Sequence, residues 1–205
     1  MTKYSAYIDT TILANWILYY KKRDVIPKAG KKIIESFTML ELIEKNLFIC
    51  KFVSSTWAMC EVANVILNDI LTEEMNRNGI SLVQFPSQKR VFQIEDESKK
   101  RTIIENLADF RDFLKNLNVK IRSFEVDDDS VTDLLMKHTF LPTPDALHLS
   151  FAFRSCDMLV TLDTRHFLHP KHRKQIQDTN KIEIWRPYEL IEHYQKKESK
   201  NRSSR

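Results

Sequence analysis

Glycine is the residue type that the sequence most clearly lacks. The 205 residues contain two glycines, Gly30 and Gly79, which lie far apart in the chain. The common nucleotide-binding fingerprints each need several glycines close together, because their backbone must approach a phosphate group closely. The composition therefore argues against a kinase, a P-loop nucleotide hydrolase and a Rossmann-type dinucleotide-binding protein.

Cysteines and long apolar runs are also scarce. Cys50, Cys60 and Cys156 are an odd number of cysteines without the C-x-x-C spacing, which predicts neither a disulfide framework nor a zinc site. No apolar run is long enough to cross a bilayer, and we expect no signal peptide, because the N-terminus lacks its charged and apolar regions. We therefore expect a protein of the reducing cytoplasm without a membrane segment.

The length predicts one domain, and the charge pattern leaves two interpretations open. A chain of 205 residues can bury a core without disulfides. Its net charge is +4, and basic residues concentrate in "HPKHRK" at 169–174 and in the polar tail 196–205. A basic surface attracts RNA through counterion release, but it is also typical of a solvated face. The composition of the tail predicts disorder.

Strand and helix patterns alternate along the chain. The order is strand, helix, helix, strand, helix, helix, strand, helix, helix, strand, short helix, strand and helix. This alternation predicts an α/β fold with a mostly parallel sheet covered by helices on both faces. Segment 80–97 shows no clear period, so it is predicted to be a loop or an insertion within domain 1–195. The predicted strands span residues 3–9, 47–55, 119–126, 157–163 and 181–185.

Two helix starts are predicted from capping residues. Ser54, Ser55 or Thr56 is suited to cap the helix that follows the second strand, because a side-chain oxygen can accept a free backbone N–H there. Pro144 suits the first position of a later helix, which places the cap at Thr143.

Four acidic residues stand where predicted elements begin or end. Asp9 ends the first strand and Asp163 ends the fourth, Asp145 starts the helix before that fourth strand, and Glu61 lies near the start of the helix after the second strand. Ligands of parallel sheets bind beyond the carboxyl ends of the strands, so these side chains are predicted to converge. Converging carboxylates repel, and either raised pKa values or a bound cation must relieve this repulsion. Oxygen ligands suit a hard cation such as Mg²⁺ or Mn²⁺. A water molecule on such a cation can attack a phosphodiester.

Each acid also has an ordinary structural interpretation. Asp9 could cap the first helix, and Asp145 could complement a helix dipole. Asp163 could stabilise a turn, while Glu61 could be an exposed helix residue. The joint positions of the four acids, and not any one of them, indicate a functional site.

Residues beside the acids have less specific signals. His148 shares a helix face with Asp145, and we interpret it as a packed or hydrogen-bonded structural histidine. Arg165 and His166 follow Asp163 and are candidates for contact with a phosphate. The candidate RNA-binding residues are Arg165, Lys171, Arg173 and Lys174.

The segments "YIDTTIL", "SSTWAMCEVANVI", "TPDALHLSFAF" and "LVTLDTRHF" together resemble the PIN-domain family. This fold is shared by VapC-like toxin ribonucleases and several RNA-processing nucleases. The resemblance spans about residues 4 to 195 and is most specific in "DALHLSFA" followed by "TLDTRHF". Relative to the compact toxin-like members of that family, the chain is expected to carry a helical extension or insertion around residues 70–117. It implies a three-layer α/β/α sandwich and a site that binds Mg²⁺ or Mn²⁺. The catalytic and metal-ligating residues that it implies are Asp9, Glu61, Asp145 and Asp163, supported by the hydroxyls of Thr10 and Thr161.

The resemblance implies a metal-dependent endoribonuclease. RNA is the expected partner, and the toxin of a toxin–antitoxin pair and an RNA-processing nuclease are both open as its role. A homodimer and an antitoxin or other protein partner also remain open. Two other functions stay as alternatives: a catalytically silent PIN-type RNA-binding or scaffold protein, and a DNA-directed or flap-type nuclease.

Overall fold

The computed structural model describes residues 4–19, 30–48, 50–81, 83–89, 96–125 and 128–203. Its strands are β1 Tyr4–Ile8, β2 Cys50–Ser55, β3 Lys120–Arg122, β4 Met158–Val160 and β5 Glu183–Trp185. The helices within these ranges are α1 Thr10–Tyr19, α2 Lys31–Glu44, α3 Thr56–Arg77, α4 Phe85–Gln88, α5 Glu97–Asn116, α6 Asp128–Lys137, α7 Thr143–Ser155, α8 Pro170–Asn180 and α9 Pro187–Ser203. None of them combines the length and the apolar character that a membrane crossing requires.

The five strands form one parallel sheet in the order β3-β2-β1-β4-β5. This confirms the predicted α/β fold with a parallel sheet. From β1 the chain first builds the sheet towards β2 and β3, and it then crosses to the other side of β1 to add β4 and β5. The boundary between β1 and β4 is therefore the topological switch point, where sheets of this kind form a ligand crevice at their carboxyl edge.

Alternating side chains of the strands enter two separate cores, one on each face of the sheet. Ala6 and Ile8 pack into a core with residues of α1, α2, α3, α5 and α9. Tyr7, which lies between them on β1, packs on the other face with residues of α6, α7 and α8. Successive strand residues point to opposite faces, so one apolar strand supplies both cores. The result is the three-layer α/β/α sandwich.

The register of β1 and β4 brings two polar residues together. Ile8 pairs with Val160, and the backbone N–H of Asp9 donates to the carbonyl of Val160 at 3.1 Å. The next residues, Asp9 and Thr161, therefore leave neighbouring strands side by side at the carboxyl edge.

The helix starts agree with one capping prediction and correct the other. Ser55 caps α3, because its hydroxyl accepts the backbone N–H of Ala58 at 3.1 Å. Helix α7 begins at Thr143 itself, and the extended residue before it is Pro142, which makes no side-chain capping bond. The ring of Pro142 restricts its φ and suits the extended entry, so the helix starts one residue earlier than predicted.

The predicted extension packs into the first core. Phe110 and Leu114 of α5 are fully buried, and the rings of Trp16 and Phe113 stack with centroids 3.8 Å apart. Residues 82 and 90–95 of the segment without a clear period lie outside the described residues, and its described part contains the short helix α4. Residues 3, 49 and 126 of the predicted strands also lie outside the described residues.

The C-terminal helix runs into the segment for which disorder is predicted. Helix α9 continues to Ser203, while residues 204–205 lie outside the described residues. Lys is a good helix former, and a helix that is already nucleated can be extended by such residues. Disorder of the tail stays a prediction.

Arg173, one of the candidate RNA-binding residues, makes contacts within the fold. Its guanidinium donates to both carboxylate oxygens of Glu189, at 2.9 and 2.8 Å, and also to the carbonyl of Ile184. Glu189 accepts in addition the backbone N–H of Arg186 at 3.0 Å. The side chain of Arg173 thus joins α8, β5 and α9, and its charge is paired with that of Glu189. Its role in RNA binding stays a prediction.

The pair of Arg173 and Glu189 predicts a dependence of stability on pH. Burial alone would raise the pKa of Glu189, but the hydrogen bonds from Arg173 and Arg186 outweigh it and lower the pKa below its ordinary 4.5. A lowered pKa contributes stability above the unfolded-state value and loses it as the pH falls through the folded-state value. We expect Glu189→Gln to lower the free energy of unfolding by about 1 kcal/mol at pH 7, since the pair is partly screened by solvent.

Urea unfolding of the variant and the wild type at pH 7 and at pH 4 measures this effect. The difference between the two proteins should narrow at the lower pH, because Glu189 of the unfolded wild type takes up a proton below its ordinary pKa of 4.5, which favours the unfolded state. Glu105→Gln on the exposed face of α5 is the matched control and should change little at either pH. An equal loss at both pH values would contradict an ionic role of Glu189.

Candidate functional site

The structure brings the four predicted acids into one cleft. Asp9, Glu61, Asp145 and Asp163 all line a cleft of about 500 Å³, and Thr10 lies on the same wall. The acids come from the end of β1, the second turn of α3, the first turn of α7 and the loop after β4. A larger cavity of about 690 Å³ lies between α1, α3 and α5, and none of these five residues lines it.

Asp9 is held by two hydroxyl groups. Its Oδ2 atom accepts a hydrogen bond from Thr161 at 2.6 Å and another from Thr11 at 2.9 Å. The Oδ1 atom lies 3.9 Å from Nε2 of His148. Both hydroxyl bonds therefore use Oδ2 and fix the orientation of the carboxylate. Thr161 is fully buried beneath Asp9, while Thr11 was missed by the sequence analysis because a threonine in a first helical turn has no distinctive pattern.

Glu61 ends a chain of short hydrogen bonds that runs into the protein. Its Oε2 atom lies 2.6 Å from the hydroxyl of Thr10 and 2.6 Å from Nε2 of His148. The other ring nitrogen of His148 lies 2.6 Å from the hydroxyl of Tyr7, which in turn lies 2.9 Å from the hydroxyl of Ser55. His148 is 2% exposed and Tyr7 is fully buried. The alternative interpretation of Glu61 as an exposed helix residue is thus wrong, because its side chain is partly buried and held by two hydrogen bonds.

Glu61 and His148 each stabilise the charged form of the other. Burial alone would lower the pKa of His148, but the hydrogen bond to Glu61 and the negative charges of Asp9 and Glu61 raise it above its ordinary value. Burial alone would raise the pKa of Glu61, but the hydrogen bond and the charge of His148 lower it. Both shifts stabilise an imidazolium beside a carboxylate. The structural histidine expected from the sequence therefore also forms part of the cleft.

Asp145 and Asp163 share a single histidine. Nδ1 of His166 lies 2.7 Å from Oδ2 of Asp145 and 3.1 Å from Oδ2 of Asp163. The Oδ1 atom of Asp163 accepts the backbone N–H groups of Arg165 at 2.8 Å and of His166 at 3.2 Å. Asp163 therefore stabilises a turn, as its ordinary interpretation proposed, and also directs its second oxygen towards Asp145.

The proximity of the acids changes the protonation of Asp145. Burial is the main reason that its pKa is raised from 3.8 to about 6, and the charge of Asp163 adds to the increase. The charge of His166 acts in the opposite direction but does not cancel the other two effects. The ionised form of Asp145 is therefore destabilised, and binding of a proton or a cation would relieve this destabilisation.

The donor atoms at this end of the cleft fit a divalent cation. One ligand atom from each of Asp145, Asp163 and His166 lies within 4.8 Å of the other two. Carboxylate oxygens suit Mg²⁺ and Mn²⁺, while an imidazole nitrogen extends the possible set to softer first-row metals. From the sequence, only oxygen ligands were predicted, and His166 was a candidate for contact with a phosphate. The signal that could have identified His166 as a further ligand is its position three residues after Asp163.

The remaining predicted residues follow Asp163 in the sequence and do not line the cleft. Arg165 lies in the loop after β4, and Lys171 and Lys174 lie on α8; all three are exposed. Arg173 is paired with Glu189, as described above.

No family model matches this chain, and no curated protein matches it. The resemblance of the four segments to the PIN-domain family therefore stays a prediction.

The buried hydroxyl of Tyr7 generates a prediction for stability. In Tyr7→Phe the shape of the ring is kept, but His148 and Ser55 each lose a hydrogen-bond partner inside the protein. We expect the free energy of unfolding to fall by about 1–3 kcal/mol, because buried polar groups left without partners keep their desolvation cost. Urea unfolding measures the loss.

The same substitution at an exposed tyrosine is the control for this measurement. Tyr188 is 41% exposed, and its ring lies near Nζ of Lys31, a contact that phenylalanine retains. Tyr188→Phe should leave the free energy of unfolding nearly unchanged. If both variants are equally stable, the hydroxyl of Tyr7 does not support the cleft.

Proposed function

We propose that this chain is a metal-dependent endoribonuclease that hydrolyses phosphodiester bonds of RNA. The observation that carries the proposal is the convergence of four carboxylates in one cleft at the switch point of the sheet. Like charges brought together in a partly buried site raise the energy of the folded protein. Such an arrangement is explained by chemistry that uses negative charge, and a cation-dependent hydrolysis is the simplest case.

The side chains divide into two groups in this proposal. Asp145 and Asp163, with His166 between them, form one end of the cation site, and Asp9 contributes its Oδ1 atom from the neighbouring strand. When bound, Mg²⁺ or Mn²⁺ supplies an activated water and neutralises charge on the phosphate. Thr161 and Thr11 hold Asp9 in orientation, so its carboxylate does not have to rearrange when the site is used.

Glu61 has a different environment from the other acids. His148 already balances its charge, and Thr10 restrains the same oxygen atom. We propose that Glu61 completes the cleft opposite Asp145 and orients water or a cation through its second oxygen. The short bonds from His148 and Thr10 then serve to keep this carboxylate ionised and in place.

The choice of RNA as substrate rests on the resemblance of the four segments and on the exposed basic residues beside the cleft. A catalytically silent binding protein and a DNA-directed nuclease predict different results in one assay. Purified protein is incubated with labelled single-stranded RNA and single-stranded DNA in Mn²⁺, in Mg²⁺ and in EDTA. The proposal requires cleavage of RNA with a cation and none in EDTA. Cleavage of DNA alone, or of neither strand, contradicts it.

Asp145→Asn separates a metal-ligand role from a helix-start role. Asparagine keeps the shape and an acceptor oxygen, so the first turn of α7 should remain intact. The loss of a full negative charge from the cation site should reduce RNA cleavage on the order of a hundredfold or more. Without metal, the variant should be as stable as the wild type or more stable, because repulsion with Asp163 is relieved.

Thermal melts with and without Mn²⁺ complete this test, since a ligand stabilises a protein only by binding its native state. The stabilisation by Mn²⁺ should shrink in Asp145→Asn. Asp129→Asn, which changes an exposed aspartate in the first turn of α6, should keep both cleavage and the Mn²⁺ effect. Wild-type cleavage and a full Mn²⁺ effect in Asp145→Asn would make this residue a helix-start residue only.

A further inference from the structure

Three aromatic side chains stack beside the cleft. The rings of Phe140 and His172 are nearly parallel, with centroids 3.8 Å apart and planes inclined by 11°. The ring of His169 lies against His172 with centroids 4.5 Å apart and an inclination of 38°. His169 is exposed, whereas Phe140 and His172 are half-buried. We call these three residues the ring stack.

A capping role does not explain why a histidine stands before α8 as the outermost ring of the stack. His169 occupies the capping position of α8, where Ser, Thr, Asp or Asn usually accepts a free backbone N–H, but its side chain makes no capping bond. Its ring contacts His172 instead. In His172 the Nδ1 atom is buried without a hydrogen-bond partner, so the stacking contacts are the main described interactions of this ring. The stack thus extends from the half-buried Phe140 to a ring exposed to solvent.

The chain connects the ring stack directly to the proposed site. Phe140 precedes the cleft residue Pro142 by two positions, and His169 follows the cleft residue His166 by three. Since consecutive Cα atoms are about 3.8 Å apart, these separations cannot exceed about 8 and 11 Å. A stacked single strand advances about 3.4 Å per nucleotide. A nucleotide two or three positions from the bond in the cleft therefore falls within reach of His169.

The charge around the ring stack suits a polyanion. Lys171 and Lys174 are exposed and lie three residues apart on α8, so they share a face of the helix, and Arg165 is exposed in the loop before it. Positive side chains track a phosphate backbone, and exposed rings bind bases of any sequence by stacking. An apolar protein partner would not need this combination of a ring and flanking lysines.

We propose that the ring stack is a base-stacking site for single-stranded RNA, with one base lying on His169 and the flanking phosphates near Lys171 and Lys174. This inference rests on the proposed function for its substrate class. It assigns to His169 a role in holding the substrate and no role in the chemistry. The lysines contribute affinity that depends on salt, and the ring contributes affinity that depends on the presence of a base.

The test separates these two contributions and needs no cleavage. Binding of a short labelled single-stranded RNA is measured by fluorescence anisotropy in EDTA, together with an abasic RNA of the same length and the same number of phosphates. The wild type should bind the RNA with bases about fivefold or more tightly than the abasic one. His169→Ala should remove most of this preference, and His169→Tyr, which restores an aromatic ring without a charge, should retain it.

Two further variants serve as controls. His193→Ala removes another exposed histidine, whose ring lies against Trp185, and it should leave the preference for bases unchanged. Lys171→Ala combined with Lys174→Ala should weaken binding of both RNAs equally and flatten the dependence of affinity on salt. Thermal melts verify that each variant is folded.

The outcomes distinguish this inference from the proposed function. If His169→Ala keeps the preference for bases, or if His169→Tyr fails to retain it, the ring stack only packs the segment before α7 against α8. The inference also fails if the wild type binds no RNA, and the surface is then better assigned to a protein contact. RNA cleavage with an unaltered preference in His169→Ala would support the nuclease and refute the stacking site. If the protein cleaves no RNA but shows a base preference that His169→Ala removes, the stacking site is supported and the nuclease is refuted.

Discussion

The hydrogen bond between Glu61 and His148 joins the two helix layers across the carboxyl edge of the sheet. Glu61 belongs to α3, which packs in the first core, and His148 belongs to α7, which packs in the second. The bond is 2.6 Å long and pairs a carboxylate with an imidazole whose pKa is raised by it. The cleft is therefore closed at its base by a contact between layers that touch different faces of the sheet.

Hydroxyl and imidazole groups beside the acids limit the repulsion among the carboxylates of the cleft. Asp9 has two hydroxyls, Glu61 has an imidazole and a hydroxyl, and Asp145 and Asp163 share the second imidazole. These partners reduce the electrostatic cost but leave Asp145 with a raised pKa. The surroundings of the acids are therefore unequal: the charge of Glu61 is balanced by His148, whereas burial and the charge of Asp163 still raise the pKa of Asp145.

Much of the fold and the convergence of the acids could be predicted from local patterns. Apolar strands alternating with helices specify a parallel sheet, and residues that follow parallel strands meet at one edge. Contacts made across the chain could not be predicted in the same way. Arg173 has the pattern of a basic surface but is neutralised by Glu189, and His166 resembles a phosphate contact but pairs with two aspartates. Neither partner can be identified from spacing, because tertiary packing selects it.

Through Tyr7, the geometry of the cleft depends on core residues that do not line the cleft. Its ring packs in the second core against Phe151, with centroids 5.2 Å apart, while its hydroxyl bonds to His148. A change in the volume of Phe151 would tilt Tyr7, and the displacement would pass through His148 to Glu61. Evolution of this protein therefore has a route to alter the site by substitutions in the hydrophobic interior, while every residue that lines the cleft keeps its identity.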